Sequence, residues 1–363
     1  MVSFKPTDEQ ELIRKTMTDF AREVLRPHAR EADEANRVPD DVVARGWELG
    51  LVQTTIPEAQ GGYGDARSAV TGAVLLEELA YGDLALALHL LTPRLLTIPL
   101  VVAGTEEQRA RWLPRFTGLE FSVATAAFIE PRWDFDPTAL ATRATRRGGD
   151  WIITGEKCLV PLARDAHAIL VYAGAPDGLA AFIVEGKAPG LTVGEREKNM
   201  GIKALDTFPL RLEDVRVPAS SRLGGEGTDV RPLVDAGRLA SAALAVGVSR
   251  AAFDHARDYA KDRRAFGQAI AQKQAIAFML ADMAIEIDAM RLLAWEAASR
   301  LDKGQPATRE CYLARHYASQ SSLKITDNAV QVLGGHGYIR DHPVELWLRN
   351  ARGFATFDGV AIV

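Results

Sequence analysis

Two short segments stand out for the residue types they bring together. In Gln331-Val332-Leu333-Gly334-Gly335-His336-Gly337-Tyr338, three glycines follow an apolar helix end. A backbone without Cβ atoms lets a ligand approach closely, although a glycine cap and turn would use the same residues. Asp262-Arg263-Arg264-Ala265-Phe266-Gly267 is a basic stretch that reads as a helix end favoured by the macrodipole. Other chemistries find no support. Seven histidines occur, with no His-Glu-x-x-His pair and no Cys/His cluster at metal spacing, so no metal site is expected. His336 and His342 read as packing or surface residues. No Gly-x-Ser-x-Gly elbow, Walker loop or dinucleotide Gly-x-Gly-x-x-Gly fingerprint is present. Gly61-Gly62-Tyr63-Gly64 lacks the flanking strand and helix of a phosphate loop and reads as a turn.

The elements that position these segments fall into three blocks. Residues 1–119 read as helical: Thr7 and Gln10 form a capping box, and Leu12, Ile13, Met17, Phe20 and Val24 recur at helical spacing. Residues 120–227 read as short strands, Phe121–Phe128, Trp151–Thr154, Ala168–Tyr172 and Ala180–Val184, with Gly148-Gly149-Asp150 as a hairpin turn. Residues 228–363 are helical again. There Ile276, Leu280, Met283, Ile287, Met290 and Leu293 make one bundle-core stripe, and the Ala/Gly-rich 239–252 stretch permits close helix approach. The expected fold class is α+β, mostly α: an N-terminal helical domain, a middle β-barrel-like domain and a C-terminal four-helix bundle. A ligand pocket is expected between domains.

Composition narrows the function. The chain has 363 residues, 47% hydrophobic and 25% charged, which suits a globular protein with a large core. Lysine and arginine number 43 against 48 acidic residues, a net of −5, which argues against nucleic acid as a partner. Two distant cysteines, Cys158 and Cys311, suit a reducing, cytoplasmic setting. The most apolar stretch, 84–104, is broken by His89, Pro93, Arg94 and Pro99, so no membrane segment is expected.

Taken in order, several motifs resemble the acyl-CoA dehydrogenase family over nearly the whole chain. Ile56-Pro57-Glu58 precedes the Gly61–Gly64 turn, and Gly104-Thr105-Glu106-Glu107-Gln108 precedes Trp112-Leu113-Pro114. Arg263-x-x-Phe266-Gly267 is followed by Gln272, Gln274 and Leu280-Ala281-Asp282-Met283, then by Gln331-x-x-Gly334-Gly335-x-Gly337-Tyr338 and Pro343-Val344-Glu345. The resemblance implies an FAD enzyme that oxidises an acyl-CoA thioester to the trans-2-enoyl thioester. A carboxylate takes the α proton as the β hydrogen leaves as hydride to the flavin, and hydrogen bonds to the thioester carbonyl stabilise the developing enolate. It implies an oligomer in which FAD crosses a subunit interface. Arg263, Phe266, Gln331 and Gly335 then hold the pyrophosphate and adenine part of a neighbour's FAD, an arginine fork suiting pyrophosphate. The implied partners are an acyl-CoA or acyl-carrier thioester, an electron-transfer flavoprotein or similar acceptor, and further subunits, like or unlike.

Three regions depart from the family pattern. The usual base is a Glu before Gly and Thr, after Arg-Asp-Ala-Arg/Lys. Here Arg349-Asn350-Ala351-Arg352 leads to Phe357-Asp358-Gly359, so the resemblance makes Asp358 the candidate base. It is one methylene shorter than Glu, on the order of 1 Å, a displacement that can cost about a hundredfold in rate. The alternative position, before Arg238, is Gly237 and offers no base. Ile129-Glu130-Pro131-Arg132-Trp133-Asp134-Phe135-Asp136 stands where Thr-Glu-Pro-Gly-x-Gly-Ser-Asp is usual, and Pro161 replaces a residue whose hydroxyl and N–H would address the flavin ring. The chain ends five residues past Asp358, which implies a shortened closing helix. Two readings follow: an acyl-CoA dehydrogenase with Asp358 as base, or a half-site subunit that completes a partner's FAD site.

Overall fold

The computed structural model describes residues 6–64 and 67–356. Asp358 therefore lies outside the described residues. The chain begins with seven helices: α1 (Asp8–Phe20), α2 (Arg26–Ala35), α3 (Asp40–Glu48), α4 (Ala69–Gly82), α5 (Leu84–Leu91), α6 (Arg94–Ala103) and α7 (Glu106–Trp112). The capping box at Thr7 and Gln10 opens α1, and an equivalent one at Thr105 and Gln108 opens α7. In each, hydroxyl and amide satisfy two of the helix's orphan N–H groups.

Seven strands follow: β1 (Ala124–Ala127), β2 (Arg143–Arg147), β3 (Asp150–Pro161), β4 (Ala168–Ala175), β5 (Gly178–Glu185), β6 (Leu191–Val193) and β7 (Thr207–Pro218). They hydrogen-bond in the order β1-β4-β2-β3-β7-β6, with β5 added on β4. β1 runs parallel to β4, and the other long pairs are antiparallel. The β2–β3 hairpin turns at Gly148, whose φ of 65° suits glycine. β3 is longer than its apolar core predicts, because Gly155, exposed Glu156 and buried Lys157 continue the pairing with β7 beyond a bulge at Thr154.

The last block holds α8 (Arg231–Asp262), a small hairpin β8 (Arg264–Ala265) and β9 (Gln268–Ala269), α9 (Gln274–Asp302), α10 (Thr308–Leu333), α11 (Gly335–Tyr338) and α12 (Val344–Ala351). The basic stretch read as a helix end is thus a hairpin. Phe266 and Gly267 sit at its tip with φ of 53° and 82°, and that left-handed pair turns the chain back at once. Met283, Ile287 and Met290 of α9 are buried, as the helical period requires. Gly247 of α8 lies against α4, where a Cβ would sit 2.2 Å from the Glu77 carbonyl. No single helix among the described residues is long and apolar enough to cross a membrane. α5 and α6 reach that measure only as a pair bent by 48°, and both are buried in the protein.

Two charge clusters tie the blocks together. Buried Glu77 of α4 accepts from Arg250 of α8 at 2.6 Å and from Arg291 of α9 at 2.9 Å. Buried Asp33 of α2 takes both terminal nitrogens of Arg349 of α12, at 2.9 and 2.8 Å, and one of Arg340.

Candidate active site

The end of β3 forms one wall of the site. Two bulges interrupt its pairing with β7, the second between Lys157 and Val160. Leu159 in that bulge and Leu162 beyond it have φ of 55° and 51°, unusual for residues with large side chains. Such strained positions gather at functional sites. The strand is held by Lys157, fully buried, whose Nζ donates to the Phe128 carbonyl at 2.9 Å and to Glu130 at 3.1 Å. Burial pushes the Lys157 ammonium down to about 8, against the pull of Glu130. The Glu130 carboxylate also accepts from the backbone N–H groups of Ala141 and Thr142 at 2.6 and 2.7 Å. This pair therefore fastens the 128–142 loop to β3.

Where a glycine turn was expected, the loop is shaped by side chains. Arg132 forks onto Asp134 at 3.0 and 2.8 Å, and Asp136 caps Thr138. Trp133 between them is 98% exposed. Phe135 meets Phe128 edge-on, and Phe128 meets Tyr172 likewise.

Two clefts flank the β3 end. One, of about 360 Å³, is lined by Val38, His89, Phe121, Leu162, Ala204 and Asp206, among others. His89 of α5 stacks on Phe121, and burial pushes its imidazole down to about 4, so it is neutral at physiological pH. The other, of about 150 Å³, is lined by Leu159, Gly201, Arg349, Asn350, Gly353 and Thr356, among others. Asn350 accepts from the Ile202 N–H at 2.6 Å, and Gly201 lies so close to Arg349 that a Cβ would be 2.1 Å from its carbonyl oxygen. The Arg349–Arg352 run read from sequence as the approach to Asp358 thus locks α12 onto the β domain.

The nucleotide-motif residues lie elsewhere. Tyr259, Arg263, Ile270, Gly334, Gly335 and His336 are among those lining a cleft of about 330 Å³. A Cβ on Gly334 or Gly335 would meet nothing within 4 Å, so the backbone there faces open space. Arg263 is exposed and makes no ion pair among the described residues. Gln331 stands exposed at the end of α10, and its carbonyl accepts from the Gly334 N–H. Phe266, 95% exposed at the hairpin tip, does not line the cleft. His336 accepts or donates a 2.6 Å hydrogen bond with Tyr259, and His342 one of 3.1 Å with His255, in keeping with packing roles. No group of metal-ligating side chains occurs among the described residues.

Models of the acyl-CoA dehydrogenase N-terminal, middle and C-terminal domains match residues 7–120, 125–215 and 228–361. This chain belongs to the acyl-CoA dehydrogenase family. It is 34% identical to the mitochondrial short-chain specific acyl-CoA dehydrogenase of Bos taurus, over 98% of this chain and 87% of that one. It is equally identical to a 3-(aryl)acrylate reductase of Clostridium sporogenes, over 98% and 96%. Butyryl-CoA dehydrogenase of Megasphaera elsdenii superposes with a TM-score of 0.89 at 31% identity, covering 99% of this chain and 96% of that one. Acyl-CoA dehydrogenase family proteins are FAD-dependent oxidoreductases acting on CH–CH bonds, and this chain is one of them.

The two ends of the cofactor site fit FAD unequally. The unpaired Arg263 and the open backbone at Gly334–Gly335 fit a pyrophosphate–adenosine arm. At the ring end, backbone donors around the end of β3 are already engaged. The Cys158 N–H goes to the Ile129 carbonyl and the Leu162 N–H to the Asp206 carbonyl. The Leu159 N–H goes to the Glu197 carboxylate at 3.1 and 3.0 Å. Pro161 has none. Sequence reasoning found Pro161 but not the capture of Leu159 by Glu197, which comes from another strand connection.

Proposed function

We propose that this acyl-CoA dehydrogenase removes the α and β hydrogens of an acyl-CoA thioester, giving the trans-2-enoyl thioester. Asp358 takes the α proton. FAD, when bound, supplies the hydride acceptor, and an electron-transfer flavoprotein or similar protein receives the electrons. The observation that carries this reading is the cleft shared by Leu159 and the Arg352–Thr356 turn, the last residues before Asp358. That turn brings the chain to the β3 wall, where a base must work. The free thiols of Cys158 and Cys311 support a cytoplasmic, reducing setting.

The consumed β3 donors favour a second reading, a half-site subunit that completes a partner's FAD. Flavin stoichiometry and anaerobic bleaching by acyl-CoA separate the two. One FAD per subunit, bleached by substrate, is the expected result. Half an equivalent or less, unbleached, supports the half-site subunit.

Arg263, Phe266, Gln331 and Gly335 would hold the adenosine–pyrophosphate arm of a neighbouring subunit's FAD. Arg263→Ala should therefore lower flavin retention, a charged hydrogen bond of this kind being worth roughly 1.5–3 kcal/mol. Unchanged flavin content after desalting removes Arg263 from the site.

This reading also requires an oligomer. Phe278, Ile285 and Leu292 recur every seven residues on α9 and are 61%, 67% and 48% exposed, an apolar stripe outside the bundle core. Light scattering at micromolar concentration should give a dimer or larger. A flavin-loaded monomer contradicts the shared site.

A further inference from the structure

Tyr259, His336, His342 and His255 form a chain of half-buried polar rings that starts at the nucleotide-motif cleft and runs inward. Tyr259 and His336 both line the cleft, joined by the 2.6 Å bond between the Tyr259 hydroxyl and His336 Nδ1. The His336 ring stacks on His342 at 5.9 Å, and His342 Nδ1 meets His255 Nε2 at 3.1 Å. Packing alone explains each contact, but not why the chain ends at the cleft that also holds Arg263 and the open backbone of Gly334 and Gly335.

The two ends of the chain differ electrostatically. At the inner end, His255 lies edge-on to Trp347, and Arg26 of α2 covers the Trp347 ring. Burial, with His342 and Arg26 beside it, holds His255 below the ordinary histidine range against the pull of Asp258, so a proton is disfavoured there. At the outer end, His336 Nδ1 is taken by Tyr259, and Nε2 has no hydrogen bond among the described residues. No carboxylate among the described residues pairs with His336. Charged groups on the surrounding elements are committed elsewhere or exposed. On α8, Asp258 pairs with Arg257 and Lys261. On α12, Glu345 holds Arg30 and Arg349, and Arg340 before it meets Asp33. Asp341 is exposed, as is Asp327, one turn before Gln331 on α10. A counter-ion for a charged His336 must therefore come from whatever fills the cleft.

We propose that His336 is a proton-linked phosphate ligand, taking up one proton from solvent as the FAD pyrophosphate binds and donating Nε2–H to a phosphate oxygen. This rests on the reading above that the cleft receives the nucleotide arm. In the charged ring Nδ1–H donates to the Tyr259 oxygen, which frees the Tyr259 hydroxyl proton for a second acceptor. The charge stays at the cleft end, because moving it inward brings it beside Arg26. Flavin binding then tightens as pH falls through the range where histidines change charge, about pH 8 to 5. One linked proton allows up to about tenfold in affinity per pH unit. The pyrophosphate of FAD does not itself titrate in this range, so the dependence belongs to the protein.

The test is calorimetric titration of FAD into the flavin-stripped, full-length oligomer at about pH 8, 7 and 6, in buffers of different ionisation enthalpy. Affinity should rise toward acid, with net proton uptake on binding. His336→Gln should flatten the profile near the wild-type value at the alkaline end. His336→Lys, which carries a fixed charge, should flatten it near the value at the acid end. A wild-type affinity independent of pH, or a slope that survives either substitution, overturns the assignment. If Arg263→Ala still weakens FAD binding in that case, the nucleotide-arm reading stands and only His336 is removed. Binding unmoved by pH and by Arg263→Ala alike overturns both. The wild-type profile and His336→Lys decide even if His336→Gln does not fold.

Discussion

Asp358→Asn should lower turnover with acyl-CoA by about 10²- to 10⁴-fold, the usual contribution of a positioned general base. Asparagine keeps the shape of aspartate and cannot accept the α proton. Flavin content should be unchanged, because the residues assigned to the nucleotide arm lie just past the end of α8, on the hairpin that follows, on α10 and at the start of α11. The wall facing the approach to Asp358 is also independent of it. Leu159 is fixed by Glu197, and Arg349 by Asp33 and Glu345. Asp358→Glu probes reach. If the pocket is an ordinary one with a short base, the longer carboxylate preserves or raises turnover. If the pocket is built around aspartate, it does not. Wild-type turnover in Asp358→Asn takes Asp358 out of the reaction.

Glu77→Gln should destabilise the protein by about 3–5 kcal/mol at neutral pH, the range for breaking a buried ion pair from one side. Glu77 is buried where α4, α8 and α9 meet, and Gly247 brings the backbones of α4 and α8 into contact beside it. Glutamine keeps the volume but leaves Arg250 and Arg291 short of charge, with Glu78 and Asp288 as their remaining partners. The pH dependence has a definite sign. Burial alone would raise the Glu77 pKa, but Arg291 and Arg250 overturn this and hold it below the ordinary 4.5. Its contribution is therefore fully present above pH 4.5 and is lost as pH falls through the lower folded-state value. Denaturant midpoints of wild type and variant should converge in acid. A difference under about 1 kcal/mol at pH 7 would mean that the cluster contributes no more than exposed pairs do.

The features legible in the sequence are those set by near neighbours. Thr7 and Gln10 specify the start of α1 because the capping box closes within three residues. Met283, Ile287 and Met290 specify the inner face of α9 because helical period alone aligns them. Gly148 specifies the β2–β3 turn because its backbone conformation excludes most other residues. Motif order along the chain was enough to assign the family. The hairpin at Phe266 was missed because its turn has only one glycine, and a basic stretch after a long helix fits a helix end equally well.

What the tertiary structure decided concerns which polar groups find partners, since that depends on residues far apart in the chain. Arg349 marks the approach to the candidate base in sequence, but only folding sets it against Asp33, 316 residues away. Pro161 announced a missing donor at the β3 end, whereas the engagement of the Leu159 N–H depended on Glu197, 38 residues on. Glu77 and Arg94 are both charged residues on apolar helices. Folding brings two guanidinium groups to Glu77 and no carboxylate among the described residues to Arg94. Local spacing fixes backbone shape through short-range sterics and hydrogen bonds; the satisfaction of a buried charge is settled only when distant elements close around it.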